Sequence, residues 1–154
     1  MEARTADELV EAVAAADAAD EGLLVMAGGS NLVIADAGFE GTVVRVLTRG
    51  ISADTRGDRA GLFVAAGEPW DELVARCVAE GLAGIECLSG IPGSTGATPI
   101  QNVGAYGQEV ADRIASVRAY DREARTDVEL APRSASLPIA LASSGARLAT
   151  WCSA

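Results

Sequence analysis

Two glycine-rich stretches without charged side chains hold the residues whose types and spacing suit ligand binding. The first, Ala27-Gly-Gly-Ser-Asn31, follows a short apolar run and offers several backbone N–H groups in a small concavity. Such a concavity binds phosphate oxygens. A glycine hairpin is the alternative interpretation. The motif is not the G-x-G-x-x-G fingerprint, because we predict that a strand, and not a helix, follows it at 32–34.

The second stretch, Leu88 to Gly107, contains five glycines and two prolines. Glycine permits positive φ angles and close approach of another group, while proline fixes its own φ. So few large side chains suit a loop whose N–H groups face a ligand. A buried turn between two elements is the alternative interpretation. The ligand-binding interpretation stays open beside it, because long loops in compact domains are usually functional or disordered.

The composition excludes several kinds of chemistry. The chain has 154 residues, 12 arginines, no lysine and no histidine. Without histidine there is no Ser-His-Asp or Cys-His site and no histidine metal ligand, and we predict no metal site; without lysine there is no Walker A loop and no Schiff base. The formal charge of −10, with no basic stripe, argues against a nucleic-acid partner.

The cysteines and the apolar runs indicate the cellular compartment of the protein. Cys77, Cys87 and Cys152 are widely spaced and form no disulfide pattern, which fits a reducing compartment. The sequence starts without a basic and then apolar leader, and no apolar run approaches the length of a membrane span. We therefore expect a cytoplasmic protein with no membrane association.

Capping and periodicity predict the elements that must position the two stretches. Thr5-Ala-Asp-Glu8 is a capping box, and helical spacing of apolar residues follows it. A second helix begins at Gly67-Glu-Pro69, with Trp70 in the core and Glu68 as a cap or solvated, and ends at Gly81. Helices are thus predicted at 6–19 and 70–80, and strands at 23–26, 32–34, 42–48, 62–66, 112–121 and 126–130.

The order of these elements indicates an α/β or α+β domain of about one domain's length, with both glycine loops facing one ligand. Residues 49–60 are rich in charge and glycine, and we interpret them as an exposed connection or hairpin tip. Four arginines are expected on solvated faces, although one of them could approach a phosphate. They are Arg45, Arg49, Arg56 and Arg59.

Three motifs carry a resemblance to a known family. They are Gly28-Gly-Ser-Asn-Leu32, Gly67-Glu-Pro-Trp70 and Ile91-Pro-Gly-Ser-Thr-Gly-Ala-Thr-Pro-Ile-Gln-Asn-Val-Gly-Ala-Tyr-Gly107. Together they closely resemble the UDP-N-acetylenolpyruvoylglucosamine reductases, also called UDP-N-acetylmuramate dehydrogenases. The resemblance extends from about residue 5 to about residue 132. It implies a two-subdomain FAD-binding fold of the vanillyl-alcohol oxidase and p-cresol methylhydroxylase type.

The resemblance also implies which residues hold the cofactor. Residues 28–32 would bind the FAD pyrophosphate through backbone N–H groups, and residues 91–107 would line the flavin and ribityl portion, with Tyr106 near the cofactor. Gln101 and Asn102 have a compatible second interpretation, which is to satisfy buried backbone groups. The full set is Gly28, Gly29, Ser30, Asn31, Leu32, Ile91, Pro92, Gly93, Gly96, Ala97, Ile100, Gln101, Asn102, Gly104, Ala105 and Tyr106.

In the family, NADPH reduces FAD, which passes hydride to a UDP-sugar enolpyruvate, and a serine protonates the product. The redox chemistry is the cofactor's, and the protein supplies positioning and exclusion of water. We assign no catalytic residue in this chain, because the serine that protonates the product belongs to the family's substrate domain, which we do not find in the sequence. The family segment ahead of the first helix and the Tyr-Arg-x-Ser segment after Pro132 are missing too.

We therefore predict an FAD-binding domain at 1–132, with subdomains at about 1–48 and 49–132, and a tail at 133–154 that departs from the family. A frameshift would explain the tail, because permitted codons for Ser136 to Ala142 encode Leu-Ala-Tyr-Arg-Thr-Ser in a shifted frame. Two functions stay open. One is the cofactor-binding portion of the reductase, inactive alone, and the other is a stand-alone, non-catalytic flavin-binding or assembly module.

Overall fold

The computed structural model describes residues 1–56, 59–131 and 142–152. The helices are α1 (Ala6–Ala18), α2 (Trp70–Ala79) and α3 (Thr98–Gln101), and single 3₁₀ turns lie at Glu86–Leu88, Thr95–Ala97 and Val110–Asp112. The strands are β1 (Glu2–Ala3), β2 (Leu23–Met26), β3 (Thr42–Val46), β4 (Ile51–Arg56), β5 (Arg59–Ala65), β6 (Leu82–Ala83), β7 (Gly104–Ala105), β8 (Gln108–Glu109), β9 (Ile114–Asp121), β10 (Thr126–Leu130) and β11 (Ala142–Cys152).

The first part of the chain forms a three-stranded parallel sheet with α1 packed on it. The strand order is β1-β3-β2, so β2 is an edge strand. The capping box forms as predicted, because the Glu8 N–H donates to Thr5 Oγ1 at 3.1 Å and Glu8 accepts from the Thr5 N–H at 3.3 Å. Helix α1 then buries Leu9, Val13 and their neighbours against β3. The local signals therefore place α1 to within one residue.

The second part forms a six-stranded antiparallel sheet with α2 beside it. The strand order is β10-β9-β11-β5-β4, and β6 pairs with β11. Trp70 opens α2 and is fully buried, and its indole Nε1–H donates to the Leu88 carbonyl at 2.9 Å. The prediction that Trp70 belongs to the core is confirmed.

The two sheets share a core through side chains from both. Tyr120 of β9 and Ala66, just after β5, pack with Leu9 and Val44 of the first sheet. A second cluster, centred on Trp70, lies between α2 and the larger sheet. The division into subdomains at 1–48 and 49–132 stays a prediction.

Several elements differ from those predicted. Residues 32–34 are not a strand but irregular, exposed chain, with Val33 fully in solvent. Within 49–60, β4 pairs with β5 as a regular hairpin arm. The predicted strand at 42–48 ends at Val46, and that at 112–121 begins at Ile114, after a 3₁₀ turn.

The tail contributes a strand that the sequence did not predict. Backbone pairing places β11 between β9 and β5, in the interior of the larger sheet. The rest of the predicted tail, residues 133–141 and 153–154, lies outside the described residues. The frameshift stays a prediction.

Within the described ranges, none of the helices has both the length and the apolar character to cross a membrane.

Candidate cofactor-binding site

A cavity of about 570 Å³ opens between the edge strand β2 and the two glycine-rich loops. This is within the range of small-molecule and cofactor sites. Its wall is mostly apolar, and the polar groups come from the two loops and from Arg122. The lining residues are Val13, Leu23, Leu24, Val25, Met26, Ala27, Gly29, Ser30, Asn31, Leu32, Val46, Ala66, Ile91, Pro92, Gly93, Ser94, Gly96, Ala97, Thr98, Ile100, Gln101, Val103 and Arg122.

The first loop, residues 27–32, leaves β2 at its carboxyl end and forms one side of the cavity mouth. Gly29 has φ +79°, a left-handed conformation that glycine adopts without strain. The Leu32 N–H closes the turn on the Gly29 carbonyl at 3.2 Å. Among the described residues, no acceptor is bonded to the N–H groups of residues 28–31. Free N–H groups around a left-handed glycine form an anion-binding concavity, so this loop fits a pyrophosphate.

The second loop is fixed to the junction of β5 and α2 by its own backbone. The Gly96 N–H donates to the Ala66 carbonyl and the Thr95 N–H to the Glu68 carbonyl, each at 2.8 Å. The Ala97 N–H donates to Ser94 within the loop at 3.0 Å. The expectation that N–H groups of this loop face a ligand is therefore wrong for these three residues. The loop presents apolar side chains, glycine backbone and three polar residues to the cavity instead, and these three are Ser94, Thr98 and Gln101.

A side-chain hydrogen bond joins the two loops. Asn31 Nδ2 donates to Gln101 Oε1 at 3.0 Å, across 70 residues of sequence. Both residues also line the cavity. The prediction that the two loops face one cleft is confirmed.

Most of the predicted site residues come together around this cavity. Those that line it are Gly29, Ser30, Asn31, Leu32, Ile91, Pro92, Gly93, Gly96, Ala97, Ile100 and Gln101. Gly28 lies between two cavity-lining residues in the sequence, but it does not line the cavity itself. Four others border a separate polar cleft beside the β7–β8 hairpin, and they are Asn102, Gly104, Ala105 and Tyr106. A cofactor role for all sixteen predicted residues stays a prediction.

The hairpin residues have local partners of their own. Asn102 adopts a left-handed conformation at the end of α3, donates to Glu109 Oε2 at 2.8 Å and accepts from the Ala111 N–H at 3.2 Å. It thus satisfies a backbone group, although an exposed one, whereas the second interpretation expected a buried one. Tyr106 is 93% exposed and also left-handed, because it forms the turn between β7 and β8.

Arg122 lines the cavity and was not among the predicted site residues. It follows β9, and its guanidinium pairs with Asp17 in the last turn of α1, with Nε 3.1 and 3.2 Å from the two carboxylate oxygens and Nη2 as a further donor. The hydrogen bond from Arg122 lowers the pKa of Asp17. No local sequence pattern indicates this pair, because 105 residues separate its members.

Glu68 is neither a cap nor solvated, which corrects the prediction. Its carboxylate accepts from the Gly50 N–H at 2.6 Å and pairs with Arg49 at 3.1 Å, and its side chain is only 15% exposed. Glu68 thus fastens the chain before β4 to the start of α2. Arg45 and Arg49 are half exposed, as predicted.

Comparison with known proteins defines the class of this fold and site. The model of the family described as FAD binding domain matches residues 1–126, and the chain belongs to this family. A UDP-N-acetylenolpyruvoylglucosamine reductase from Salinispora arenicola is 58% identical over 132 residues, which cover 85% of the chain and 36% of that protein. One from Saccharopolyspora erythraea is 58% identical over 121 residues, covering 78% of the chain and 33% of that protein.

Solved structures confirm the predicted fold. The UDP-N-acetylenolpyruvylglucosamine reductase from Thermus caldophilus superimposes with a TM-score of 0.70 at 24% identity, covering 99% of this chain and 53% of that one. The 6-hydroxy-D-nicotine oxidase from Arthrobacter nicotinovorans gives 0.70 at 18% identity, covering 97% and 35%. The chain spans about a third of the length of the curated relatives that it matches.

Proposed function

We propose that this chain is the FAD-binding portion of an NADPH-dependent reductase that converts UDP-N-acetylglucosamine enolpyruvate to UDP-N-acetylmuramate for peptidoglycan synthesis. The observation that carries the proposal is the convergence of the two glycine-rich loops on one cavity, joined by the Asn31–Gln101 hydrogen bond. Relatives with 58% identity bear the name of that reductase. We place the protein in the cytoplasm, where the thiols of Cys77 and Cys87 stay free.

The residues of this chain bind and orient the cofactor. Free N–H groups of residues 28–31 would hold the pyrophosphate, since a left-handed glycine turn is complementary to phosphate oxygens. Ile91 and Ile100 line the cavity and would exclude water from the flavin side. When bound, FAD supplies hydride transfer between NADPH and the enolpyruvyl double bond.

The chain supplies no group that we assign to proton transfer. It has no histidine and no lysine. The cavity lining within the described residues contains one charged side chain, Arg122, which is already paired with Asp17. We therefore propose that the chain binds FAD but does not reduce the UDP-sugar alone.

Flavin titration of the purified chain tests the proposal. FAD should bind and shift the flavin absorbance and fluorescence, while NADPH and the UDP-sugar enolpyruvate together should give no turnover. Gly29→Ala should weaken FAD binding, because alanine at φ +79° strains the loop and its Cβ, 2.9 Å from Met26 Cε, would displace the Met26 side chain, which also lines the cavity. Gly38→Ala is the matched control. Gly38 has φ +81°, has open space around it and does not line the cavity.

The two variants separate a site effect from general strain. A left-handed alanine costs about 1–3 kcal/mol at either position, so both variants should lose thermal stability, but only Gly29→Ala should lose FAD affinity. A wild-type chain that binds no FAD would refute the proposal. Turnover by this chain alone would refute the proposal that reduction of the UDP-sugar needs groups from another domain. Co-purification with a separate substrate domain would instead support a stand-alone binding module.

A further inference from the structure

All four residues of β2 line the cavity, and the two ends of this strand meet chemically different groups. The first loop lies at the carboxyl end of β2, next to Met26. Because α1 connects β1 to the parallel strand β2, its last turn returns to the amino end, next to Leu23. At about 3.3 Å per residue, β2 alone separates these ends by about 10 Å. Asp17 belongs to the last turn of α1, so its partner Arg122 marks the end opposite the first loop.

Arg122 keeps hydrogen-bonding capacity at this end. Its Nε and Nη2 donate to Asp17, and among the described residues no acceptor is bonded to Nη1. A guanidinium carries five N–H donors in a rigid plane and also stacks on aromatic rings. Asp17 therefore fixes the plane of the guanidinium, and the Nη1 edge is left to meet a ligand in the cavity that Arg122 lines.

We propose that Arg122, positioned by Asp17, receives the adenosine half of the bound dinucleotide and so selects FAD over flavin mononucleotide. This inference rests on the proposed function. If the first loop holds the pyrophosphate and the second loop the flavin, the other half of the molecule must extend along β2 toward Arg122. An adenine ring offers nitrogen acceptors at its edge and a π face, and a guanidinium is complementary to both.

The apolar wall between the two ends suits a nucleoside rather than a second phosphate. It consists of Leu23, Val25, Val13 and Val46, none of which has a polar side-chain group. A phosphate in this part of the cavity would lose its hydration without compensating donors. A planar base would instead be favoured by burial of its rings.

Affinities for FAD, FMN and riboflavin, measured by flavin fluorescence on the wild-type chain and three variants, test the inference. We expect the wild type to bind FAD at least about 10-fold more tightly than FMN. Arg122→Gln should lower FAD affinity about 10-fold, which is the effect of losing one cation–π or charge-assisted contact, and leave FMN and riboflavin affinities unchanged. Arg122→Lys should restore part of the FAD affinity, because it keeps the charge but not the plane.

Asp17→Asn separates positioning from a purely structural role. The Asp17→Asn variant should reduce the preference for FAD over FMN less than Arg122→Gln does. In a separate competition experiment, ADP should displace FAD from the wild type but only weakly from Arg122→Gln. Equal loss of FAD and FMN affinity in Arg122→Gln, or no loss of either, would overturn the inference while leaving the proposed function intact. A wild-type chain that binds neither flavin would overturn both.

Discussion

Replacing Gly67 with alanine should destabilise the protein at the point where the second loop is attached. A Cβ at this position would lie 2.5 Å from the Thr48 nitrogen, 2.6 Å from the Thr48 oxygen and 2.7 Å from the Leu47 carbonyl carbon. All three atoms are backbone, so no flexible side chain can move away. The Gly67 N–H also donates to Thr48 Oγ1 at 3.0 Å in a buried site. Relief of the clash must therefore separate the end of β5 from the segment after β3.

Overpacking of this kind costs about 1–3 kcal/mol. For a chain of this size, a loss of about 2 kcal/mol lowers the Tm by about 4–8 °C. Thermal unfolding followed by circular dichroism measures the change. FAD affinity should fall as well, because Ala66 and Glu68 on either side of Gly67 accept the N–H groups of Gly96 and Thr95.

Gly61→Ala, within the preceding strand β5, is the matched control. Its Cβ would meet only the Asp54 carbonyl, at an ordinary contact distance of 3.7 Å, and its φ is not left-handed. Its Tm should stay close to that of the wild type. A Tm for Gly67→Ala indistinguishable from that of Gly61→Ala would show that the backbone relaxes, and the close approach of Gly67 to Thr48 would not be a requirement of the fold.

Three further outcomes follow from other contacts. Hydrogen bonds to Asp71, first from the Gly90 N–H and then from the Ser89 hydroxyl, lower the pKa of its carboxyl. The ionised carboxylate therefore stabilises the fold at neutral pH, and the effect disappears as the pH falls below about 4. The free energy of unfolding of Asp71→Asn, measured by chemical denaturation between pH 3 and 7, should depend less on pH than that of the wild type. Trp70→Phe leaves the Leu88 carbonyl without its 2.9 Å donor and should cost about 1–3 kcal/mol, visible in urea denaturation. Burial raises the pKa of Cys77 to about 11, so alkylation at pH 8, mapped by mass spectrometry, should reach Cys77 only after unfolding.

Elements with a local signal could be predicted from the sequence. The capping box at Thr5 and Glu8 and the proline at position 69 act within one helical turn, so the starts of α1 and α2 follow from them. The two loops that line the cavity could also be singled out, because the stretches at 27–31 and 88–107 are rich in glycine and carry no charge. The structure joins them through Asn31 and Gln101.

Features that depend on distant partners could not be predicted. Leu32, Val33 and Ile34 are apolar and partly β-branched, which favours a strand, but a strand needs a neighbour to pair with, and here none is present among the described residues. Strand β4 carries Ser52 and Asp54, so its composition resembles a loop although β5 pairs with it along its length. The Arg122–Asp17 pair likewise depends on packing between β9 and α1.

The position of β11 has a consequence for how the chain assembles. This strand lies between β5 and β9 but follows both of them along the polypeptide. Until it inserts, two facing strand edges present unpaired N–H and C=O groups, and such edges promote association between molecules. Contacts between segments far apart in sequence also form slowly, because loop closure precedes them. The larger sheet is thus completed late, and until then the edges of β5 and β9 stay open to association between molecules.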